Sequence, residues 1–131
     1  DVIVTATSSF KAIVMDAWIK QGTHINAIGT DTRGKQELDP QIFGRAAVFV
    51  DNLEQCCYLG EYQHAVDAGI QSRQSIRAEL GELINKSKLG RTSPEEITIF
   101  DTTGVAIQDL ATAGYALQEA KKRGLGLRIK L

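Results

Sequence analysis

The chain opens on a β-branched run, Val2-Ile3-Val4, that gives way to Thr5, Thr7, Ser8 and Ser9. A short apolar run bounded by polar residues predicts a buried strand over Asp1 to Thr7 that opens into a polar loop. Ile13 to Ile19 sets Val14, Ala17 and Trp18 at helical spacing ahead of Gly22, which predicts a short helix. His24 to Ile28 reads as a second strand, closed by Gly29 and the polar stretch Thr30 to Gly34. Pro40 to Ala46 suits another short helix, with Asp39 as its cap ahead of a proline in the first turn. Ala47 to Val50 is a third strand, with Asp51 at its carboxyl end. A helical pattern then runs from Leu53 to Ala68 and stops at Gly69, and Ser75 to Ile84 predicts one more helix, Ser75 and Ala78 or Glu79 standing near the capping spacing. After a turn over Gly90 to Glu96, Ile97 to Asp101 forms a fourth strand, and Thr102-Thr103-Gly104 leads into a long helix over Val105 to Arg123. That helix gathers Ile107, Leu110, Ala111, Gly114, Tyr115 and Leu117 on one face, and Lys121, Lys122 and Arg123 suit its C-terminal dipole. Gly124 ends it, and Leu125 to Leu131 alternates like an edge strand. Strands alternating with helices over short connections predict an α/β fold around a parallel sheet.

Composition narrows the function. The 131 residues suit one core of ordinary domain size, and a net charge of -1 spread along the chain argues against nucleic acid or an anionic membrane as partner. No apolar run approaches the roughly 20 residues that span a bilayer. The start lacks the order of a secretory signal, so a cytoplasmic protein is expected. A buried strand at the first residue suggests a chain cut from something longer. Cys56 and Cys57, adjacent in a helical segment, make no disulfide framework, and His24 and His64 lack ligand spacing, so no metal site is expected. The glycine-rich dinucleotide fingerprint is absent: Gly124-Leu125-Gly126 lacks the third glycine and leads toward a strand rather than a helix.

Parallel sheets bind ligands where loops gather at the carboxyl ends of their strands. Three polar loops fall there: Thr5 to Ser9, Gly29 to Lys35, and Asp101 to Gly104. The middle loop is the richest, since Asp31 offers a carboxylate for proton transfer, Lys35 can meet an anionic group, and Gly29 and Gly34 permit close backbone approach. By pattern alone, a solvated turn explains Thr30 to Lys35 as well, and a helix cap explains Asp101 to Thr103.

The stretch Gly22-Thr-His-Ile-Asn-Ala-Ile-Gly-Thr-Asp-Thr-Arg-Gly-Lys-Gln-Glu-Leu38 closely resembles the ornithine cyclodeaminase and mu-crystallin family, which includes archaeal-type alanine dehydrogenases. Further matches are Asp1 to Ser9, Gly60-Glu61, Gly81-Glu82, Gly90-Arg91 and Glu96 to Asp109, so the resemblance runs in order along the whole chain. It implies the second half of a Rossmann-type cofactor domain over residues 1–104, followed over 105–131 by a helix and strand returning to a substrate and dimerisation domain. The parent would be a homodimer using NAD or NADP on a small amino acid or imine, and the diphosphate loop would lie upstream. Position by position, Asp31 matches the family's proton donor and acceptor. Thr5 or Thr7, Ile25, Asn26, Ala27, Ile28, Lys35 and Thr102 match cofactor-contacting positions, and Thr103 a position lining the substrate. Arg33 stands where many relatives carry proline and brings a charge beside Asp31, and Ala12 departs in the same way. The implied reaction is hydride exchange with the α-carbon of an amino acid, the imine then being hydrolysed or captured by the substrate's own amine. A catalytically silent ligand-binding or interaction domain, as some mu-crystallin-like relatives are, is the competing expectation.

Overall fold

The computed structural model describes residues 1–127 and residue 129. Five strands form one sheet: β1 (Val2–Thr5), β3 (His24–Ala27), β5 (Ala46–Val50), β6 (Ala78–Glu79) and β7 (Ile97–Asp101). Their order is β1-β3-β7-β5-β6, and every pairing is parallel. The last strand therefore enters the centre, between β3 and β5, where Ile97 and Ile99 are buried beside Ile25, Ala27, Val48 and Val50. This is the α/β parallel sheet that the strand runs predict.

Alternate residues of β3 face opposite ways. Ile25 and Ala27 are fully buried on the face that carries the main core, and His24 and Asn26 are half-buried on the other. The core is completed by Ile42, Phe43, Cys56, Tyr62 and Ala65, with Phe43 and Tyr62 edge to face at 5.6 Å between ring centroids. These residues come from a 3-10 helix (Pro40–Arg45) and from α1 (Leu53–Leu59) and α2 (Tyr62–Asp67). Asp39 caps the 3-10 helix through Gln41 N, and Asn52 caps α1 through Gln55 N at 2.9 Å.

Several expected elements change. The helix expected over Ile13 to Ile19 is instead β2 (Phe10–Val14), followed by a single 3-10 turn (Asp16–Trp18). β2 pairs in parallel with β4 (Gln36–Leu38), a strand that directly follows the polar loop Gly29 to Lys35 and that the sequence pattern does not predict. The helix expected from Leu53 to Ala68 breaks at Gly60-Glu61 into α1 and α2. The one expected over Ser75 to Ile84 resolves into a 3-10 turn (Arg73–Ser75), β6 and the short helix α3 (Leu80–Ile84). The capping boxes there join Ser72 with Ser75 and Glu79 with Glu82. The long helix stands as α4 (Ala106–Arg123), with Gly124 closing it and no residue buried; Ile107, Leu110, Tyr115 and Leu117 are all exposed. Of the expected edge strand over Leu125 to Leu131, residues 125–127 and 129 form no strand, and 128, 130 and 131 lie outside the described residues. No helix among the described residues is long and apolar enough to cross a membrane.

Candidate active site

All five strands end in one register row, Thr5, Ala27, Asp101, Val50 and Glu79, so their following loops start level with one another. With neighbouring strands about 4.8 Å apart, Thr5 and Asp101 are separated by about 10 Å. Two backbone bonds carry the row one step further: Ile28 N donates to Thr5 O at 2.9 Å and Thr102 N to Ala27 O at 3.1 Å. The three polar loops singled out from sequence thus share one edge of the sheet.

The loop after β3 is anchored at its two ends, while Asp31 to Gly34 between them form an exposed turn. Thr30 is fully buried, its hydroxyl donating to the Glu61 carboxylate. Gly34 N donates to Gln63 Oε1 at 2.9 Å, and the His64 ring nitrogen Nε2 donates to Lys35 O at 2.6 Å. The start of α2 therefore grips this loop at its two ends. At its tip, Lys35 Nζ pairs with Asp31 Oδ1 at 2.7 Å and also reaches Gly29 O at 3.4 Å. The Asp31 side chain is 56% exposed and Lys35 20%, so the carboxylate faces solvent while the ammonium is partly enclosed. The Lys35 ammonium, with help from the Thr32 hydroxyl, holds the Asp31 carboxyl below its ordinary value. Arg33 does not add to that pair: its guanidinium lies over the Tyr58 ring, 5.1 Å from the centroid.

The remaining expected residues divide. Among the described residues, Thr5 Oγ1 and Thr103 Oγ1 are the buried side-chain polar atoms without a hydrogen-bond partner. Unsatisfied hydroxyls are costly, and two of them at one edge of the sheet, at the end of β1 and on the loop after β7, fit a site that receives a polar ligand. Thr7 contributes its amide to Glu37 Oε1 at 2.5 Å, while its hydroxyl accepts from Ser9 N. The Thr102 hydroxyl is spent on Asp51 Oδ2 at 2.6 Å, the same oxygen that accepts from Thr103 N and Gly104 N. Asp51, rather than Asp101, thereby caps the loop into α4. Ile28 is 49% exposed at the row's edge and available for contact. Ile25 and Ala27, by contrast, are sealed in the core and present no surface. Asn26 turns to the opposite face, where its Oδ1 meets His24 Nε2 at 3.2 Å and it lines a cavity of about 410 Å³ that includes no residue of the three loops.

Three carboxyl groups lie directly behind the loops, of which only Asp101 falls within a loop singled out from sequence. Glu37, Glu61 and Asp101 are each fully buried. Glu61 accepts from Glu37 N at 2.5 Å and Leu38 N at 3.1 Å as well as from Thr30, and Asp101 accepts from Glu61 N at 3.2 Å and Tyr62 N at 2.9 Å. Burial raises the Glu61 carboxyl against these bonds and pushes Asp101 up to about 8. Their only legible signal is the Gly60-Glu61 dipeptide interrupting an otherwise helical run. No group of three His, Cys, Asp or Glu among the described residues is placed to hold a metal ion.

Comparison with known proteins gives this geometry a context. The profile of the ornithine cyclodeaminase/mu-crystallin family matches residues 1–124. Alanine dehydrogenase from Archaeoglobus fulgidus is 48% identical over 130 residues, which are 99% of this chain and 40% of that protein. An archaeal alanine dehydrogenase dimer solved with bound NAD superposes at a TM-score of 0.94 and 48% identity, covering 100% of this chain and 41% of that one. The iminosuccinate reductase of Paracoccus denitrificans, in complex with NAD+, superposes at 0.93 with 44% identity, covering 99% and 40%. A Thermococcus litoralis Delta(1)-pyrroline-2-carboxylate reductase holding NADH and L-proline also superposes at 0.93, with 32% identity, covering 98% and 40%. The chain thus spans about two fifths of the length of the proteins it resembles.

Proposed function

The chain belongs to the ornithine cyclodeaminase/mu-crystallin family, and from that premise we propose that it supplies the nicotinamide side and the proton-handling group of an enzyme that oxidises a small amino acid or reduces the matching imine. The observation that carries this reading is the Asp31–Lys35 pair, fixed at the carboxyl edge of the sheet beside two loops with unpartnered threonine hydroxyls. The NAD and NADH held by the three solved relatives support NAD as cofactor, with NADP as the variant to test against it.

The residues present fit a nicotinamide here: the Thr5 hydroxyl is unpartnered, and Ile28 offers apolar surface. When bound, the cofactor supplies the two-electron exchange with the substrate's α-carbon. Asp31, kept ionised by Lys35, takes a proton from the amino nitrogen or from the water that attacks the imine carbon, and returns it in the reductive direction. Lys35 holds that carboxylate in place through its second bond, to Gly29 O. Thr103, on the loop that Asp51 fixes, faces the substrate side. Residues 105–131 go with a substrate and dimerisation part, where the exposed apolar face of α4 would be covered, as in a homodimer.

The test uses the natural polypeptide that carries these residues. NADH and NADPH are titrated calorimetrically, and turnover of L-alanine, L-proline and L-ornithine is followed with NAD and NADP. Asp31→Asn is expected to lower kcat by about 100-fold or more with NADH affinity retained. Lys35→Ala is expected to weaken NADH binding. Full turnover in Asp31→Asn refutes the proton-transfer role. A wild-type protein that binds NADH yet turns over none of these substrates is instead the catalytically silent ligand-binding domain.

A further inference from the structure

Glu37 is the least expected residue of the molecule: a carboxylate on the three-residue strand β4, fully buried, bonded through its oxygens to backbone amides and not to a lysine or arginine among the described residues. Its two oxygens are divided between two chain segments. Oε1 accepts from Thr7 N at 2.5 Å and Oε2 from Gly29 N at 3.1 Å, so one side chain joins the loop after β1 to the loop after β3. The approach is close enough that a Cβ on Gly29 would lie 2.5 Å from both Glu37 Cδ and Thr7 O, which leaves glycine as the residue that fits. Glu37 is itself fixed from behind, its amide donating to Glu61. Beyond the Gly29 amide the connection continues through the same residue's carbonyl, because Gly29 O accepts from the Lys35 ammonium that pairs with Asp31.

We propose that Glu37 is the positioning residue of this site: by holding the Thr7 and Gly29 amides on one carboxylate it sets the spacing of the two loops and, through Gly29, the seat of the Lys35–Asp31 pair. Buried carboxylates bonded only to backbone amides make strong, directional hydrogen bonds, and the desolvation they require goes into geometry that a neutral side chain would not enforce. The inference rests on the proposed function only for why this loop spacing matters.

The groups that face the pair are few. Thr32 bonds the Asp31 carboxylate, His64 of α2 bonds the Lys35 carbonyl, Glu61, at the start of α2, bonds Thr30, and Arg33 lies over Tyr58. The experiment follows the Asp31 carboxyl by carbon-detected NMR titration, and the Thr7 and Gly29 amides by hydrogen exchange, in the natural polypeptide. In the wild type both amides should exchange as slowly as those of β3, although neither lies in a strand. Glu37→Gln keeps one acceptor and turns an amide group toward the other donor. It should speed exchange at Thr7 or Gly29 at least about tenfold and move the Asp31 midpoint up, whereas Val48→Ala, a core truncation with its own stability loss, should leave that midpoint where it was. An equal midpoint in Glu37→Gln and Val48→Ala overturns the proposal. Where Glu37→Gln does not fold, fast exchange at either amide in the wild type overturns it alone. Neither readout depends on turnover, so the proposed reaction and this inference fail separately.

Discussion

Replacing Gly60 by alanine isolates the contact on which the α1–α2 break depends. Gly60 has φ -80°, a value open to any residue, so the substitution brings no backbone strain. What it brings is a methyl group 2.9 Å from both Asp101 Cγ and Oδ1, and nearer still to Oδ2. The carboxylate has to withdraw, and it holds the Glu61 and Tyr62 amides at 3.2 and 2.9 Å. A buried amide left without its acceptor costs about 1–3 kcal/mol, so losing both bonds costs about 2–6 kcal/mol. Against a typical domain stability of about 5–15 kcal/mol that is a large fraction, and it falls on the residues that begin α2 and carry Glu61. Gly81→Ala is the control. That glycine lies in α3, where an added methyl group would meet nothing within 4 Å, and the change should be neutral or stabilise by up to about 1 kcal/mol. Urea unfolding followed by circular dichroism measures both. A Gly60→Ala stability within about 1 kcal/mol of wild type at unchanged slope would refute the steric account of the break.

Asp51→Ala removes the shared acceptor of Thr102 Oγ1, Thr103 N and Gly104 N; a loss of about 2–3 kcal/mol is expected, with faster amide exchange at Thr103 and Gly104. Asp101 contributes a pH dependence whose sign is fixed by its raised pKa. Between the ordinary aspartate value of about 3.9 and its folded value of about 8, the unfolded chain has lost a proton the folded chain keeps, so stability from this group falls as pH rises and levels off above about 8. Denaturant titrations of wild type and Asp101→Asn at several pH values should show that slope, at most about 1.4 kcal/mol per pH unit, as the difference between the two proteins. The buried Cys56 thiol is pushed up by burial first and by the Asp101 and Asp51 charges next; a thiol reagent at neutral pH should label it only as fast as the protein opens.

Which parts of this molecule were legible follows from where each residue's partners lie. Val48, Val50, Ile97 and Ile99 sit in strands with neighbours on both sides, so their runs are rich in buried β-branched residues and the sheet could be read from them. α4 was legible because its order is local, an apolar stripe closed by Gly124. β2 was not. Val14, Ala17 and Trp18 have helical spacing, but Phe10 and Val14 pair with Gln36 and Leu38 more than twenty residues away, and that tertiary pairing overrides the local pattern. β4 was hidden for a related reason, since a Gln-Glu-Leu strand shows no alternation when its buried glutamate is satisfied by backbone amides. The same principle separates the two halves of the site. Asp31 and Lys35 stand out because their bonding partner is a side chain four residues off. Glu37 and Glu61 bond amides eight to thirty residues away, and an amide leaves no mark in a sequence. A glutamate in a polar stretch is therefore read as solvated until the fold brings the donors to it. Glycine is the one trace such a contact can leave: Gly29 beside Glu37 and Gly60 beside Asp101 each occupy the place where a methyl group would displace a carboxylate. A glycine with an ordinary negative φ packed against a buried acid is thus a signal of close carboxylate approach rather than of a turn, and Gly60, at the break between α1 and α2, is where the steric reason for glycine separates from the conformational one.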